Sequence, residues 1–178
     1  MSKPTLYIDI DDTIIARYFQ DTSYDLRPGV ISQLRILSSL FDCRWLTCWP
    51  WSNPDGRIDI QTLLRSVYAL DLIKGIRCQK WGYGHPFRKA GAVLAKGQPK
   101  DFWWLEDALD SEERHALNDA GKLDRYIEVS SHGPWGFADA CLELFKRAKV
   151  TERAIEKAGG KLRLFRKENF LPEFVIPA

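Results

Sequence analysis

The run Leu6-Tyr7-Ile8-Asp9-Ile10-Asp11-Asp12-Thr13 constrains the fold of this chain more than any other, because apolar residues give way abruptly to three carboxylates. Consecutive apolar residues are typical of a strand that is buried on both faces of a parallel sheet. Carboxylates crowded at the end of such a strand repel one another, which costs stability unless a cation or a reaction uses their charge. The run therefore predicts a buried strand that ends at a divalent-metal site with a carboxylate nucleophile.

Strand-like and helix-like segments alternate along the rest of the chain. Apolar, strand-like runs occur at 6–10, 43–47, 102–105 and 126–129, and segments with helical spacing occur at 30–40, 60–70 and 89–96. The connections are long enough for crossover helices between parallel strands. This alternation predicts a doubly wound α/β fold, with a mostly parallel sheet flanked by helices.

Length and composition favour one packed domain with an appendage. A chain of 178 residues with 45% hydrophobic residues and seven Trp can bury a sizeable core. The start of the chain lacks the apolar stretch of a signal peptide, and no run is long enough to span a bilayer, so we expect a cytoplasmic protein without membrane contact. The four cysteines form no Cys-x-x-Cys pair, which favours buried thiols over zinc ligands or disulfides.

The C-terminal part of the chain is basic. Segment 146–167 holds nine Lys or Arg against two Glu, whereas the rest of the chain holds 17 basic and 22 acidic residues. We expect a core domain over 1–149 and an extension over 150–178 that docks on the core or on a partner. Gly159-Gly160 divides the basic segment into a helical half, 151–158, and a second half, 161–165, whose alternating apolar and basic residues predict an edge strand.

Polar residues follow three of the predicted strands. They are Asp9 and Asp11 after the first, Thr47 at the end of the second, and Glu106-Asp107 after the third, while Lys89 precedes the helix that leads to the third strand. Ligands of open α/β folds bind beyond the carboxyl ends of the strands. These side chains are therefore the candidates for chemistry.

Taken together, these residues resemble the motifs of the haloacid dehalogenase-like (HAD) hydrolase superfamily. Its signature, Asp-x-Asp-x-Thr/Val after the first strand, stands here as Asp9-Ile10-Asp11-Asp12-Thr13. Thr47 is similar to its second motif and Glu106-Asp107 to its acidic fourth motif, in the family's order. The resemblance covers roughly residues 5 to 145, and residues 150–178 have no counterpart among the motifs of the family.

The resemblance implies a Mg²⁺-dependent phosphomonoester hydrolase. Asp9 would attack phosphorus and form an aspartyl phosphate, while Asp11 would protonate the leaving oxygen and then activate water. Mg²⁺ would be held by the Asp9 carboxylate, the backbone carbonyl of Asp11 and Asp107, with Glu106 in a supporting or water-mediated position. The presence of both Asp9 and Asp11 favours phosphoryl transfer over dehalogenation.

The resemblance also implies residues that contact the substrate. Thr47 and Lys89 would bind the transferring phosphoryl oxygens, with Lys80 as the alternative lysine, and Thr13 is a further candidate for substrate binding. Trp49, with Trp51, either stacks on a base or an aromatic substrate or packs the rim of the core. The cap insertions of the family are not evident, so the resemblance implies no large cap domain and an open site. The sequence leaves the substrate and the oligomeric state undefined.

Other interpretations of the same residues stay open. Asp11-Asp12 can be an acidic turn that caps a helix, and Thr47 can be an ordinary strand residue. The basic segment 146–167 can bind nucleic acid, which makes a nucleic-acid-associated module with end-processing or vestigial phosphatase activity the alternative function. A catalytically silent protein on the same fold is a third possibility.

Overall fold

A computed structural model of the chain describes residues 3–17, 24–47, 76–79 and 88–165. The strands are β1 (Thr5–Ile8), β2 (Ile15–Arg17), β3 (Tyr24–Leu26), β4 (Asp42–Trp45), β5 (Arg77–Cys78), β6 (Phe102–Glu106) and β7 (Tyr126–Glu128). The α-helices are α1 (Val30–Leu40), α2 (Arg88–Leu94), α3 (Ser111–Asp119), α4 (Gly136–Arg147) and α5 (Glu152–Lys157). Short 3₁₀ helices occupy Leu123–Arg125 and Leu162–Phe165.

The described strands confirm the predicted α/β fold. Five of them form an all-parallel sheet in the order β5-β4-β1-β6-β7, and β2 and β3 pair with each other antiparallel. Strand β1 lies at the centre, where all four of its residues are buried between β4 and β6. No cap domain occurs within the described ranges, and 48–75 and 80–87 lie outside them.

Helices cover both faces of the sheet because apolar residues alternate between the two faces along each strand. On one face, Leu6 and Ile8 belong to a cluster with residues of α1 and α4. On the other face, Tyr7 and Trp104 belong to a second cluster with residues of α2 and α3. The central strands are therefore apolar on consecutive positions, as their sequence predicts.

Most predicted elements lie where the pattern puts them. Helix α1 has the predicted bounds, and its buried Val30, Leu34 and Leu37 repeat at helical spacing. The segment predicted as helix over 89–96 forms α2 over Arg88–Leu94, and the strand ends differ from their predicted bounds by up to two residues. The helix predicted over 60–70 lies outside the described residues.

Residues 151–165 pack against the α1 and α4 layer. Thr151 caps α5, Ile155 and Phe165 are buried in the main core, and the Phe165 ring meets Phe145 edge-on at 5.0 Å. Gln33 Nε2 donates a hydrogen bond to the Leu164 carbonyl at 3.1 Å. The edge strand predicted over 161–165 is wrong, because packing against helices rather than a sheet edge folds Leu162–Phe165 into a 3₁₀ helix.

Two observations concern membrane contact and thiols. Within the described ranges, no helix is long and apolar enough to cross a membrane. Cys43 and Cys141 are buried as expected, whereas Cys78 is exposed and Cys48 lies outside the described residues.

Gly136, the first residue of α4, allows a close approach that no larger residue permits. A Cβ atom there would lie 2.0 Å from the Ser130 carbonyl oxygen, whereas at Gly160 the closest atom would be Cδ1 of Ile36, at 2.5 Å. The end of the Ile36 side chain can rotate away from an added methyl group, whereas the Ser130 backbone carbonyl cannot. We expect Gly136→Ala to lower the free energy of unfolding by about 3 kcal/mol or more and Gly160→Ala by less. Urea denaturation of both variants checks this, and equal losses would contradict it.

Candidate metal centre

The register of the central strands brings polar residues to one edge of the sheet. Ile8 is level with Trp45 on one side and with Leu105 on the other, so Asp9 is level with Glu106. The Asp9 backbone N–H donates to the Leu105 carbonyl at 3.0 Å, which holds the residue at the end of β1. By alternation, Asp9 and Glu106 lie on the face that α2 and α3 cover.

Lys89, in the first turn of α2, joins the two carboxylates. Its Nζ lies 2.8 Å from Asp9 Oδ1, 2.9 Å from Glu106 Oε1 and 2.7 Å from Glu106 Oε2. Asp9 and Glu106 are only 1% and 3% exposed, so these are buried ion pairs. The lysine of the predicted site thus contacts the predicted nucleophile directly, and Lys80 lies outside the described residues.

Asp9, Glu106 and the half-buried Asp107 form an acidic group that can hold a metal ion. One carboxylate oxygen from each lies within 4.8 Å of the others. If all three carboxyl groups were ionised, the group and the Lys89 ammonium would carry a net charge of −2, which a divalent cation would neutralise. Carboxylate oxygens are the ligands that hard divalent cations prefer, so these residues fit such an ion.

The ionisation of the cluster reflects both burial and charge. Burial raises the pKa of Asp9 and of Glu106, and the Lys89 ammonium opposes this shift without overcoming it. Burial alone would lower the pKa of Lys89, but the Asp9 and Glu106 carboxylates outweigh it and raise that pKa. The lysine is therefore charged at neutral pH, and the carboxylates favour a bound cation or proton.

Three of the other predicted residues follow β1 or β4 in the described part of the chain, and they differ in burial. Asp11 is half-buried in the turn after Asp9, and Thr47 is buried just beyond the end of β4. Thr13 is fully buried, and its hydroxyl has no hydrogen-bond partner within the described residues. Trp49, proposed from the sequence as a stacking platform, lies outside the described residues.

Glu113 is a buried neighbour of Lys89 that the sequence interpretation missed. Glu113 is 5% exposed, and its Oε1 accepts a hydrogen bond from the Lys89 backbone N–H at 3.0 Å. The signal that could have found it is the capping box Asp110-Ser111-Glu112-Glu113, which starts α3 and turns Glu113 back along the chain. Asp110 caps α3 and pairs with Arg88 at 3.0 Å.

Arg27 is a second buried residue beside the site. It is 1% exposed, and its guanidinium donates to the Asp12 carbonyl at 2.6 Å and to the Gly133 carbonyl at 2.8 Å. Asp12 has a left-handed φ of 50°, so this turn adopts a conformation that needs outside support. Arg27 therefore ties the turn that carries Asp11 to the loop beyond β7. No pattern around Arg27 in the sequence indicates this.

Two basic residues of the C-terminal part, Arg147 and Lys149, lie away from the site. Arg147, Lys149 and Thr151 line a cleft of about 390 Å³ together with Pro4, which precedes β1, whereas Asp9 follows β1. The cleft is therefore at the amino-terminal edge of the sheet. Arg147 also pairs with Glu143 at 2.8 Å, so part of the basic charge is already compensated.

Comparisons with known proteins leave the family open. No protein-family model and no curated protein matches this chain.

Mg²⁺ is expected to stabilise the folded protein, since a cation that binds the acidic group only when it is assembled shifts the unfolding equilibrium. At a hundredfold excess over Kd the gain is about 2.7 kcal/mol, which corresponds to several degrees in Tm for a chain of this size. Asp107→Asn should remove most of the shift. Asp101→Asn, at the exposed position just before β6, is the matched control and should keep the shift. Differential scanning calorimetry with Mg²⁺ and with EDTA measures both, and equal shifts would contradict the assignment.

Proposed function

We propose that this protein is a divalent-metal-dependent phosphomonoester hydrolase that acts through an aspartyl phosphate on Asp9. The observation that carries the proposal is the Lys89 ammonium, which contacts both Asp9 and Glu106 while Asp107 completes a group of potential metal ligands. Structural cores bury such charge clusters rarely, because their desolvation is costly. The resemblance to HAD-type phosphatases gives the same residues complementary roles.

Asp9 is the proposed nucleophile. Its carboxylate forms a bond to phosphorus as the bond from phosphorus to the leaving oxygen breaks, which splits a difficult hydrolysis into two displacements. Lys89 holds Asp9 Oδ1 at 2.8 Å and so favours the ionised form that the attack requires. The backbone bond to Leu105 limits movement of the residue during the reaction.

Asp11 is the proposed general acid and base. In the first step it donates a proton to the leaving oxygen, and in the second it takes a proton from the water that attacks the aspartyl phosphate. Inorganic phosphate leaves, and Asp9 and Asp11 return to their initial states. Asp11 lies in the turn that Arg27 holds through the Asp12 carbonyl, which supports a defined position for the Asp11 backbone.

Asp9, Asp107 and the Asp11 backbone carbonyl are the proposed ligands of Mg²⁺. When bound, the ion would neutralise charge on the phosphoryl oxygens and so lower the barrier to attack by a carboxylate. Both oxygens of Glu106 already accept from Lys89, which supports a role for Glu106 in holding the lysine. Lys89 and Thr47 are the proposed contacts to the transferring phosphoryl group.

Asp9→Asn is expected to lower metal-dependent hydrolysis of an aryl phosphate by about 10³-fold or more, because the amide is a poor nucleophile. Asp12→Asn is the matched control, since it makes the same change three residues away and Asn tolerates the left-handed φ of 50° there. Steady-state assays with Mg²⁺ and with EDTA measure both variants. Undiminished turnover in Asp9→Asn would refute the mechanism.

The alternative function, a module that associates with nucleic acid, is favoured by one observation. All seven Lys and Arg residues in the described part of the basic segment are exposed: Lys146, Arg147, Lys149, Arg153, Lys157, Lys161 and Arg163. Clustered basic side chains bind polyanions by releasing counterions. Because Arg147 and Lys149 lie at the edge opposite Asp9, bound nucleic acid would be held there at a distance from the proposed chemistry.

This alternative calls for substitution of basic residues rather than deletion, since removing residues from 150 onward would take Ile155 and Phe165 out of the core. The double variant Arg153→Gln/Lys157→Gln should reduce the slope of log Kd against log salt by about 1 to 2 for a single-stranded oligonucleotide. Lys96→Gln/Lys100→Gln, two exposed lysines elsewhere, is the control. Fluorescence anisotropy measures binding, and no binding by the wild-type protein at low salt would remove this candidate.

A further inference from the structure

We propose that Glu113 is a positioning residue for the reaction, holding the backbone of Lys89 so that its ammonium reaches Asp9 and Glu106. The inference rests on the proposed function, because it concerns the lysine of that site. It adds a residue from α3 to a site otherwise built from strand ends and α2.

The geometry joins the starts of two helices through one carboxylate. Glu113 Oε1 accepts from the Lys89 N–H at 3.0 Å, and Oε2 accepts from the Asp110 N–H at 3.2 Å. The Glu113 N–H in turn donates to Asp110 Oδ1 at 2.7 Å. With 5% of its surface exposed, Glu113 makes these bonds largely away from water, where they are strongest.

The bond to Lys89 goes beyond what capping of α3 requires. A capping box needs one side-chain oxygen of Glu113 to reach the Asp110 N–H, and Oε2 does this. Oε1 is directed to a residue 24 positions earlier in the chain, whose N–H belongs to the first turn of α2 and has no intrahelical acceptor. Glu113 is thus shared between its own helix and the catalytic lysine.

A second link at the same place limits how α2 can move. Arg88 Nη1 pairs with Asp110 Oδ2 at 3.0 Å, and Arg88 has a left-handed φ of 46°, which a non-glycine residue adopts only when its surroundings hold it. Lys89 follows directly. The backbone from which the Lys89 side chain extends is therefore fixed against α3, and a displacement of about 1 Å at a reacting group can cost about a hundredfold in rate.

The first test is a double-mutant cycle on kcat for aryl phosphate hydrolysis. Glu113→Ala is expected to lower kcat about 10- to 100-fold with a smaller change in KM. The kcat of Glu113→Gln should lie between those of Glu113→Ala and the wild-type protein. Glu112→Ala, at the exposed neighbouring position, should keep kcat within about twofold of the wild-type value. In a Lys89→Met background, Glu113→Ala should change the residual kcat by less than about twofold. Equal fold losses in both backgrounds would overturn the inference. If Glu113→Ala does not fold, Glu113→Gln takes its place in the cycle.

The second test does not depend on activity, which separates failure of this inference from failure of the proposed function. The ¹⁵N-resolved ammonium signal that disappears in Lys89→Arg, a variant that keeps a positive charge beside Asp9 and Glu106, reports the surroundings of Lys89 Nζ. It should shift or broaden in Glu113→Ala and stay unchanged in Glu112→Ala. An unchanged signal in Glu113→Ala would overturn the positioning role. Absence of metal-dependent hydrolysis by the wild-type protein would refute the proposed function while this signal still tests the contact.

Discussion

The buried ion pairs of Lys89 with Asp9 and Glu106 are the interaction on which the rest of the site depends. Two carboxylates that are almost fully buried would repel each other and lose hydration, so they are tolerated only with a cation between or beside them. The parallel register sets the carboxylates level, and α2 supplies the ammonium. If either element moved, an uncompensated charge would remain in the interior.

Closely packed aromatic side chains lie on the same face of the sheet as the acidic group. Tyr7 and Phe102 meet edge-on at 5.7 Å, and Trp104 and Tyr126 do so at 6.3 Å, all on the face that α2 and α3 cover. Large rings at successive strand positions leave little room for the sheet to change register. The acidic group and Lys89 therefore lie beside a packed apolar layer, which limits movement of the strands that carry Asp9 and Glu106.

The opposite face of the sheet carries a different part of the molecule. Helices α1 and α4, with residues 151–165, form a layer whose apolar side chains reach the core while the basic side chains stay exposed. The acidic group and the Arg147 and Lys149 side chains lie at opposite edges of the same sheet. Any partner that these basic residues attract would therefore be held away from the carboxylates, which bears on both functions considered above.

The sequence by itself determined the α/β class, helix α1 and the residues that end the central strands, because hydrophobic periodicity and chain order reflect local structure and burial. It singled out Asp9, Lys89, Glu106 and Asp107, and the tertiary structure brings these four together. Only the tertiary structure decided that Glu113 is buried beside Lys89, that Arg27 ties two loops, and that Leu162–Phe165 is a 3₁₀ helix rather than part of a strand. Each of these depends on contacts between residues far apart in the chain, and a local pattern carries no information about which distant group will satisfy a buried donor or cover an apolar face.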